Sequence, residues 1–441
     1  MKAVIQAGGK GTRISSITGD TIPKPMLEIS DKPILYHQIM NLKRYGITDI
    51  TIIVGHLGNV IEDYFKDGSS LGVNISYVEE DPNKPLGTAG SLYYLKDKID
   101  EAYIFLLADV FIDINFNKME EFHKKHNADV TLFTHPNSHP FDSDLVVCDK
   151  SDKVLAFDHK TNDRTKYNYH NLVNAGVMIF SPRTLDLIKE EKKYSYEKDI
   201  VEPLIKEGKI FSYKSSEYAK DMGTPERYQK VQDDYDAGIP LTRNLENKQK
   251  CIFLDRDGTI NEFVGFLTKA DLLELIPGVD EAIQRINDSE YLCIVVTNQP
   301  VIARGNTTLK ELNNIHMKME KLLGMKGAYI NDLYYCPHHP DKGFEGEVPE
   351  LKIDCNCRKP KTGLIDKAVL DYNIDLEHSY MIGDSTMDMK LAENAGMKGI
   401  LVKTGVAGND NKFDATPYYT CDTLNDAVDH ILNKQLERKL R

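Results

Sequence analysis

Lys2-Ala3-Val4-Ile5-Gln6-Ala7-Gly8-Gly9-Lys10-Gly11-Thr12-Arg13 opens with a short apolar run that breaks into glycines. Ala3 to Ala7 reads as a buried strand, and Gly8, Gly9 and Gly11 follow it directly. Glycine lets the backbone approach a ligand and turn several N–H groups onto phosphate oxygens. Arg13 adds a planar fork of donors. The stretch lacks the Gly-Lys-Ser/Thr of a Walker loop and the usual Rossmann glycine spacing. On its own it is equally readable as a tight strand-to-helix turn.

A second strand-to-loop stretch lies midway, where Cys251 to Leu254 runs into Asp255-Arg256-Asp257-Gly258-Thr259. Around both, short apolar runs alternate with helical patterns. In the first half, Ile50 to Val54, Ile75 to Val78 and Ile104 to Leu107 read as strands. Ile34 to Tyr45 and Val60 to Phe65 read as helices, and Val130 to Phe133, Leu145 to Cys148 and Val173 to Phe180 as further strands. In the second half, Tyr291 to Thr297 and Ser379 to Ile382 read as strands, and Leu312, Ile315, Met319 and Leu322 share one helical face. This alternation predicts an α/β protein of two domains, each a mainly parallel sheet flanked by helices. Gly238, Pro240 and Asn244, then a polar run, mark a boundary. The expected domains are 1–236 and 251–441, with 237–250 as linker.

The 441 residues are ample for two cores. A net charge of -13, from 55 basic and 68 acidic residues, argues against nucleic acid or an anionic membrane as the main partner. Phosphorylated metabolites need only local donors and metal ions. No apolar run approaches a membrane span, and the first residues break into glycine too soon for a signal peptide. With seven cysteines, several near histidine, the chain is expected to be cytoplasmic, with reduced thiols and a metal site.

Gly8 to Arg13, then Pro23-Lys24-Pro25-Met26, then Leu86-Gly87-Thr88-Ala89-Gly90 occur in order. As a set they resemble the sugar-1-phosphate nucleotidylyltransferase family over residues 1 to 236. The resemblance implies a nucleotide-diphospho-sugar transferase fold, Rossmann-like. It also implies the reaction: a sugar phosphate oxygen attacks the α-phosphorus of a nucleoside triphosphate and pyrophosphate leaves. Gly8, Gly9, Gly11, Thr12, Arg13, Gly87, Thr88 and Gly90 would bind the nucleotide. Arg13 and Lys24 would supply catalytic charge, since such transfer depends on neutralisation and in-line positioning. Asp109 and Asp221 would hold Mg²⁺. Lys160, Asn174 and Gly176 match sugar-phosphate contacts, and Glu197 is a candidate for sugar hydroxyls. Singly, each has a plain alternative: Asp109 ends a strand, Lys24 is a surface residue, Asp221 caps the following helix. The ordered set favours function. The family's Glu-Lys pair is His159-Lys160 here, with Asp158 adjacent.

In the second half, two carboxylates two residues apart just past a strand end can divide the work. One attacks phosphorus, and the other protonates the leaving oxygen and later activates water. The stretch resembles the haloacid dehalogenase superfamily over residues 249 to 435, which implies a haloacid dehalogenase-like, Rossmannoid fold. Asp255 would be the nucleophile and Asp257 the acid/base. Thr297, Asn298 and Arg358 would contact the phosphoryl group. Lys359 would stabilise charge, with Lys361 as the alternative. Asp384 would complete a Mg²⁺ site with Asp255 and a backbone carbonyl, Asp257 lying at the same metal. Asp388 either supports that site or occupies an exposed helix position.

Cys336-Pro337-His338-His339 and Cys355-Asn356-Cys357 bracket a Gly/Pro-rich loop. Cys336, His338, Cys355 and Cys357 suit tetrahedral Zn²⁺, with His339 as the alternative to His338. Four protein ligands leave no open position, so the ion would be structural. The pattern is similar to D-glycero-D-manno-heptose 1,7-bisphosphate 7-phosphatases and to histidinol-phosphatases. A sugar nucleotidyltransferase uses a sugar 1-phosphate, which the heptose enzyme makes. The expectation is therefore a bifunctional enzyme that removes the 7-phosphate and then forms GDP-heptose from GTP, for surface glycans such as lipopolysaccharide. The alternative is another sugar 1-phosphate, such as mannose 1-phosphate, with a phosphatase of different specificity or a silent module. The partners are a nucleoside triphosphate and a phosphorylated sugar, and a homo-oligomer is compatible with the sequence.

Overall fold

The structure, a computed structural model, describes residues 1–9, 11–19 and 21–439. The chain forms two compact units. The first comprises Met1–His135, Val146–Asp158 and Val173–Leu245. The second comprises Pro136–Leu145, His159–Leu172 and Glu246–Arg441.

The first unit is built on a nine-stranded sheet. Its strands are β1 (Lys2–Gln6), β2 (Asp49–Val54), β3 (Asn74–Glu79), β4 (Tyr103–Leu107), β6 (Val130–His135), β7 (Leu145–Cys148), β8 (Val154–Asp158), β9 (Val173–Phe180) and β10 (Ile210–Lys214). A separate antiparallel pair is β5 (Val110–Asp113) with β11 (Tyr218–Asp221). The main order is β8-β7-β9-β4-β1-β2-β3, with β6 joining β9 to β10. β1 lies parallel to both β2 and β4, so Ala3 faces Ile50 on one side and Ile104 on the other. Strands covered on both faces read as unbroken apolar runs, which is why Val4, Ile5, Ile104 and Phe105 are all fully buried. The sheet is mixed rather than uniformly parallel, because β9 runs antiparallel to both β4 and β6. Its register shifts between Asn174 and Met178, an irregularity that re-aims the residues at that point. α1 (Ile34–Arg44) sets Leu35, Ile39 and Leu42 in the core of this unit.

The second unit carries a six-stranded sheet in which every pairing is parallel. Its strands are β12 (Lys250–Leu254), β13 (Tyr291–Asn298), β14 (Asp332–Cys336), β15 (Tyr380–Gly383), β16 (Lys398–Val402) and β17 (Tyr419–Cys421). The order is β14-β13-β12-β15-β16-β17. Asp255, Thr297, Asn298 and Asp384 thus emerge together at the carboxyl ends of three adjacent strands, where open α/β sheets bind ligands. Leu312, Ile315 and Met319 are buried on α3 (Leu309–Gly324), as their spacing requires.

The stretch read as a linker is structured. Ile239–Arg243 is helical, Asn244 is buried, and its amide donates to Asp113 (2.6 Å). The Leu245 N–H donates to Glu217 (3.1 Å). Residues 136–145 and 159–172 pack within the second unit, against α3. Lys321 Nζ donates to the Arg164 and Tyr167 carbonyls (2.8 Å each). The Asn171 N–H donates to Glu320 (2.8 Å). No helix among the described residues is long and apolar enough to cross a membrane.

Candidate active sites

In the first unit, Lys24 stands on a 3-10 turn, Lys24–Met26, between two prolines. It is buried, and its Nζ lies 2.6 Å from Asp109 Oδ2. Asp109 sits between β4 and β5, and its carbonyl accepts the Met222 N–H (3.1 Å). The β5–β11 pairing sets Asp221 opposite Val110. Asp109 and Asp221 are therefore neighbours, a proximity invisible in sequence because 112 positions separate them. Arg227, on α2 (Pro225–Asp236), grips both Asp221 oxygens at 2.9 and 3.0 Å. Burial pushes the Asp221 carboxyl up, but the Arg227 charge, its hydrogen bonds and Lys24 hold it below the usual value. The helix is capped by Thr224, not by Asp221.

The glycine loop leaves Gly9 with open space around it. A Cβ on Gly8 would stand 2.7 Å from Glu80 Oε2, and one on Gly11, at φ +60°, 3.1 Å from Lys24 Cβ. Arg13 reaches toward Gly223, where a Cβ would lie 3.4 Å from its Nη2. The Thr12 side chain lies outside the described residues. Gly87 and Gly90 are glycines because the Tyr194 and Lys192 carbonyls occupy the place of a Cβ. Their close approach is thus to the chain's own backbone. Thr88 Oγ1 accepts the Tyr196 N–H (3.0 Å). Tyr196 OH then joins Asn174 Nδ2 (3.4 Å) to Glu197 Oε1 (2.9 Å), so these two candidates meet through a tyrosine. Gly176, at φ +78°, donates its N–H to Asn174 Oδ1 (3.2 Å). Lys160 lies outside this unit. It belongs to the second unit, its N–H donates to Asp144 (2.7 Å), and its Nζ is 3.9 Å from Asp142.

Sequence reading missed Gln6 and Glu80. Glu80 is 6% exposed, accepts from Ser91 Oγ, and has its carboxyl raised by burial against the pull of Ser91 and Gln6. Gln6 Oε1 is buried without a partner, and Gln6 Nε2 donates to the Gly87 carbonyl (3.5 Å). The legible signal was an amide inside the apolar run Ala3 to Ala7.

In the second unit, Lys359 is buried, with Nζ 2.8 Å from Asp255 Oδ1, 2.6 Å from Asp388 Oδ1 and 3.1 Å from the Val296 carbonyl. Asn298 holds it in place: its Oδ1 accepts the Lys359 N–H (3.0 Å) and its Nδ2 donates to the Lys359 carbonyl (3.2 Å). Thr297 is buried beside it and accepts from Gln299 Nε2 (3.0 Å). Lys361 is exposed, 2.6 Å from Asp354, and takes no part.

Asp255, Asp384 and Asp388 bring three carboxylate oxygens within 4.8 Å of one another. Asp388 is fully buried at the start of α4 (Thr386–Ala395), where it also accepts from Ser385. Burial, then the Asp255 charge, pushes the Asp384 carboxyl up to about 8. Burial likewise raises Asp255 to about 6 despite Lys359. Buried carboxylates that raise one another are what a divalent cation relieves. Gly258 and Gly405, both at positive φ, leave Asp384 its room, since a Cβ on either would overlap Oδ2. The Asp257 carboxylate does not join this group. It is turned onto Arg256, and that charge, with Gln299 and Asn261, outweighs burial and holds it below the usual value.

Cys336, His338, Cys355 and Cys357 form the other cluster. The three sulfurs lie 3.2 to 3.5 Å apart, and His338 Nδ1 is 3.2 Å from Cys357 Sγ. His339 faces away, 3.3 Å from Arg304 Nη2. Beside this loop is a cationic patch. The Arg304 guanidinium lies between the Phe266 and Phe344 rings, with Nε buried and unpartnered. Lys352 is buried over Phe344, and Arg358 Nη1 donates to the His338 carbonyl (3.3 Å).

Residues 2–238, over half of the chain, match the nucleotidyl transferase family. The chain belongs to that family. Residues 356–427 match a HAD-hydrolase-like family. The second half is 41% identical over 161 residues to a D-glycero-β-D-manno-heptose-1,7-bisphosphate 7-phosphatase of Haemophilus ducreyi, covering 36% of this chain and 86% of that protein. The first half is 34% identical over 254 residues to a mannose-1-phosphate guanylyltransferase of Mycobacterium tuberculosis, covering 56% of this chain and 68% of that one. A crystal structure of a D,D-heptose 1,7-bisphosphate phosphatase from B. bronchiseptica, with magnesium and phosphate, aligns at 31% identity and TM-score 0.38, over 42% of this chain and 99% of that one. This nucleotidyl transferase family member is thus an enzyme that also carries a phosphatase.

Proposed function

We propose that the chain removes the 7-phosphate of D-glycero-D-manno-heptose 1,7-bisphosphate and joins the resulting 1-phosphate to GMP from GTP, releasing pyrophosphate. One observation carries the reading. A nucleophile centre similar to heptose bisphosphate phosphatases shares a chain with a centre similar to sugar-1-phosphate guanylyltransferases, so the product of one is the class of substrate the other takes.

In the phosphatase, an Asp255 oxygen attacks phosphorus and the sugar oxygen leaves with a proton from Asp257. Water, deprotonated by Asp257, then cleaves the aspartyl phosphate. Lys359 offsets the phosphoryl charge, with Thr297, Asn298 and Arg358 on its oxygens. Arg304, against the Phe266 and Phe344 rings, is a cation that suits the second phosphate of a bisphosphate. Asp255 and Asp384, with Asp388 beside them, would hold Mg²⁺, which screens the charges that meet as nucleophile and phosphate approach. Cys336, His338, Cys355 and Cys357 would hold a structural Zn²⁺.

In the transferase, Gly8, Gly9, Gly11 and Thr12 cradle the triphosphate, and Arg13 and Lys24 stabilise its developing charge. Asp109 and Asp221 would hold Mg²⁺, in place of their present partners Lys24 and Arg227. Buried Glu80 favours guanine, whose Watson–Crick edge offers two adjacent N–H donors to one carboxylate. Asn174, Gly176 and Glu197 take the sugar phosphate.

The test is mass spectrometry of products from the bisphosphate, Mg²⁺ and equimolar ATP, GTP, CTP and UTP. GDP-heptose is expected. Untouched bisphosphate sinks the heptose reading, and GDP-mannose formed from added mannose 1-phosphate in its place would favour the mannose alternative.

A further inference from the structure

The acid/base carboxylate is held by a layer of residues that none of the steps above uses. Asp257 accepts from Arg256 Nη2 at both oxygens (2.8 Å each), from Arg256 Nε (3.2 Å), Asn261 Nδ2 (3.1 Å) and Gln299 Nε2 (2.9 Å). Arg256 is fully buried, among the largest side chains so enclosed. It is anchored from its far side as well. Nη2 donates to Gln299 Oε1 (3.1 Å), and Nη1 lies 3.2 Å from His316 Nε2.

That last contact fixes a proton. A guanidinium nitrogen only donates, so His316 Nε2 must accept and its ring proton sits on Nδ1. Burial, then the Arg256 charge, keeps the imidazole neutral. His316 is itself rigidly placed. It is 4% exposed on α3, its ring 5.5 Å from that of Tyr335. Asn313 and Glu320 flank it on the helix and bind the two nitrogens of His170 at 3.0 and 2.8 Å.

We propose that His316 and Arg256 are positioning residues for phosphate release: His316 sets the guanidinium plane, and Arg256 sets the Asp257 carboxylate where the leaving oxygen departs. The proposal rests on Asp257 being the acid/base. A long side chain with one edge unanchored tilts, and the bidentate pair tilts with it. Removing the acceptor also leaves a buried N–H unsatisfied.

The test uses the full chain with Mg²⁺ and compares two phosphate esters. The sugar bisphosphate expels a basic alkoxide that needs a proton. p-Nitrophenyl phosphate expels a stabilised phenolate that needs little help. His316→Leu removes the acceptor, whereas His316→Gln places a carbonyl oxygen near the same point. For His316→Leu, kcat/KM on the bisphosphate is expected to fall about 10- to 100-fold, and on p-nitrophenyl phosphate by less than about threefold. His316→Gln should recover most of the loss. Equal losses on both esters, or equal behaviour of the two variants, overturn the proposal. If His316→Leu loses Mg²⁺-dependent binding of inorganic phosphate, and with it the fold, Arg256→Lys carries the test. An ammonium cannot grip a carboxylate bidentately, so the same ester selectivity is expected, and its absence overturns the proposal. Asp257→Asn separates the underlying reading. If that variant still cleaves the bisphosphate normally, Asp257 is not the acid/base and both ideas fall. If it is inactive while the His316 variants behave alike, only the positioning proposal falls.

Discussion

At the phosphatase centre Lys359, Asp384 and Asp388 are 3%, 3% and 0% exposed, each with its partners in place. At the transferase centre Asp109 is 36% exposed, Arg13 is exposed and Gly9 faces open space. The difference follows from the chemistry each centre supports. A covalent nucleophile must be held at bonding distance from phosphorus, so its surroundings are packed. Nucleotidyl transfer joins two large ligands, so much of the site must stay open until they supply their own charges.

The comparison breaks hardest at Asp255, the proposed nucleophile. Asp255→Asn is expected to lower phosphate release from the bisphosphate by more than about 1,000-fold and leave pyrophosphate release from separately supplied heptose 1-phosphate and GTP unchanged. Loss of both would mean that the two centres are not chemically separate. Lys24→Ala is the reciprocal change. Pyrophosphate release should fall between about 100- and 1,000-fold, because a buried charge beside Asp109 is lost, while phosphate release holds. Gly405→Ala tests how tightly the phosphatase centre is packed. Its methyl would overlap Asp384 Oδ2, so the Mg²⁺ concentration for half-maximal phosphate release should rise about tenfold or more. An unchanged Mg²⁺ requirement would mean that Asp384 is not a ligand.

The smallest effect concerns stability alone. Burial pushes the Glu217 carboxyl from 4.5 up to about 7, while the Leu245 and Asn115 N–H groups and Ser215 pull it down. The folded chain therefore binds a proton that the unfolded chain has already released in that window. Its stabilising contribution is full below 4.5 and is lost as pH rises through about 7. Glu217→Gln should flatten the fall in the first unit's Tm between about pH 5 and pH 8, by roughly 5 °C or less. An unflattened curve would place the titrating group elsewhere.

Much of this was legible early. Parallel strands buried on both faces leave continuous apolar runs, so β1, β2, β4, β12 and β13 stand out in the sequence. The glycines at 8, 9 and 11 and the pair Asp255 and Asp257 lie directly past such runs. The β5–β11 pair was not legible, because short strands far apart carry no mutual signal. The helix at 239–243 was read as linker because five residues show too little periodicity. Segments 136–145 and 159–172 lie within the transferase in sequence order yet pack against α3, and only folding could assign them.

By itself the sequence determined the two α/β halves and most candidate groups, because strand burial and loop chemistry are local properties. It also marked Cys336, Cys355 and Cys357 with His338 or His339, since the spacing within each stretch is local, and the fold gathers His338 with the three cysteines. The tertiary structure alone decided that Asp388 lies beside Asp255 and that Asp257 is turned onto Arg256. It alone placed Lys160 with Asp142 and Asp144, and buried Glu80 beside Gln6. Which polar side chains meet across the fold depends on how distant elements pack, and no local pattern encodes that.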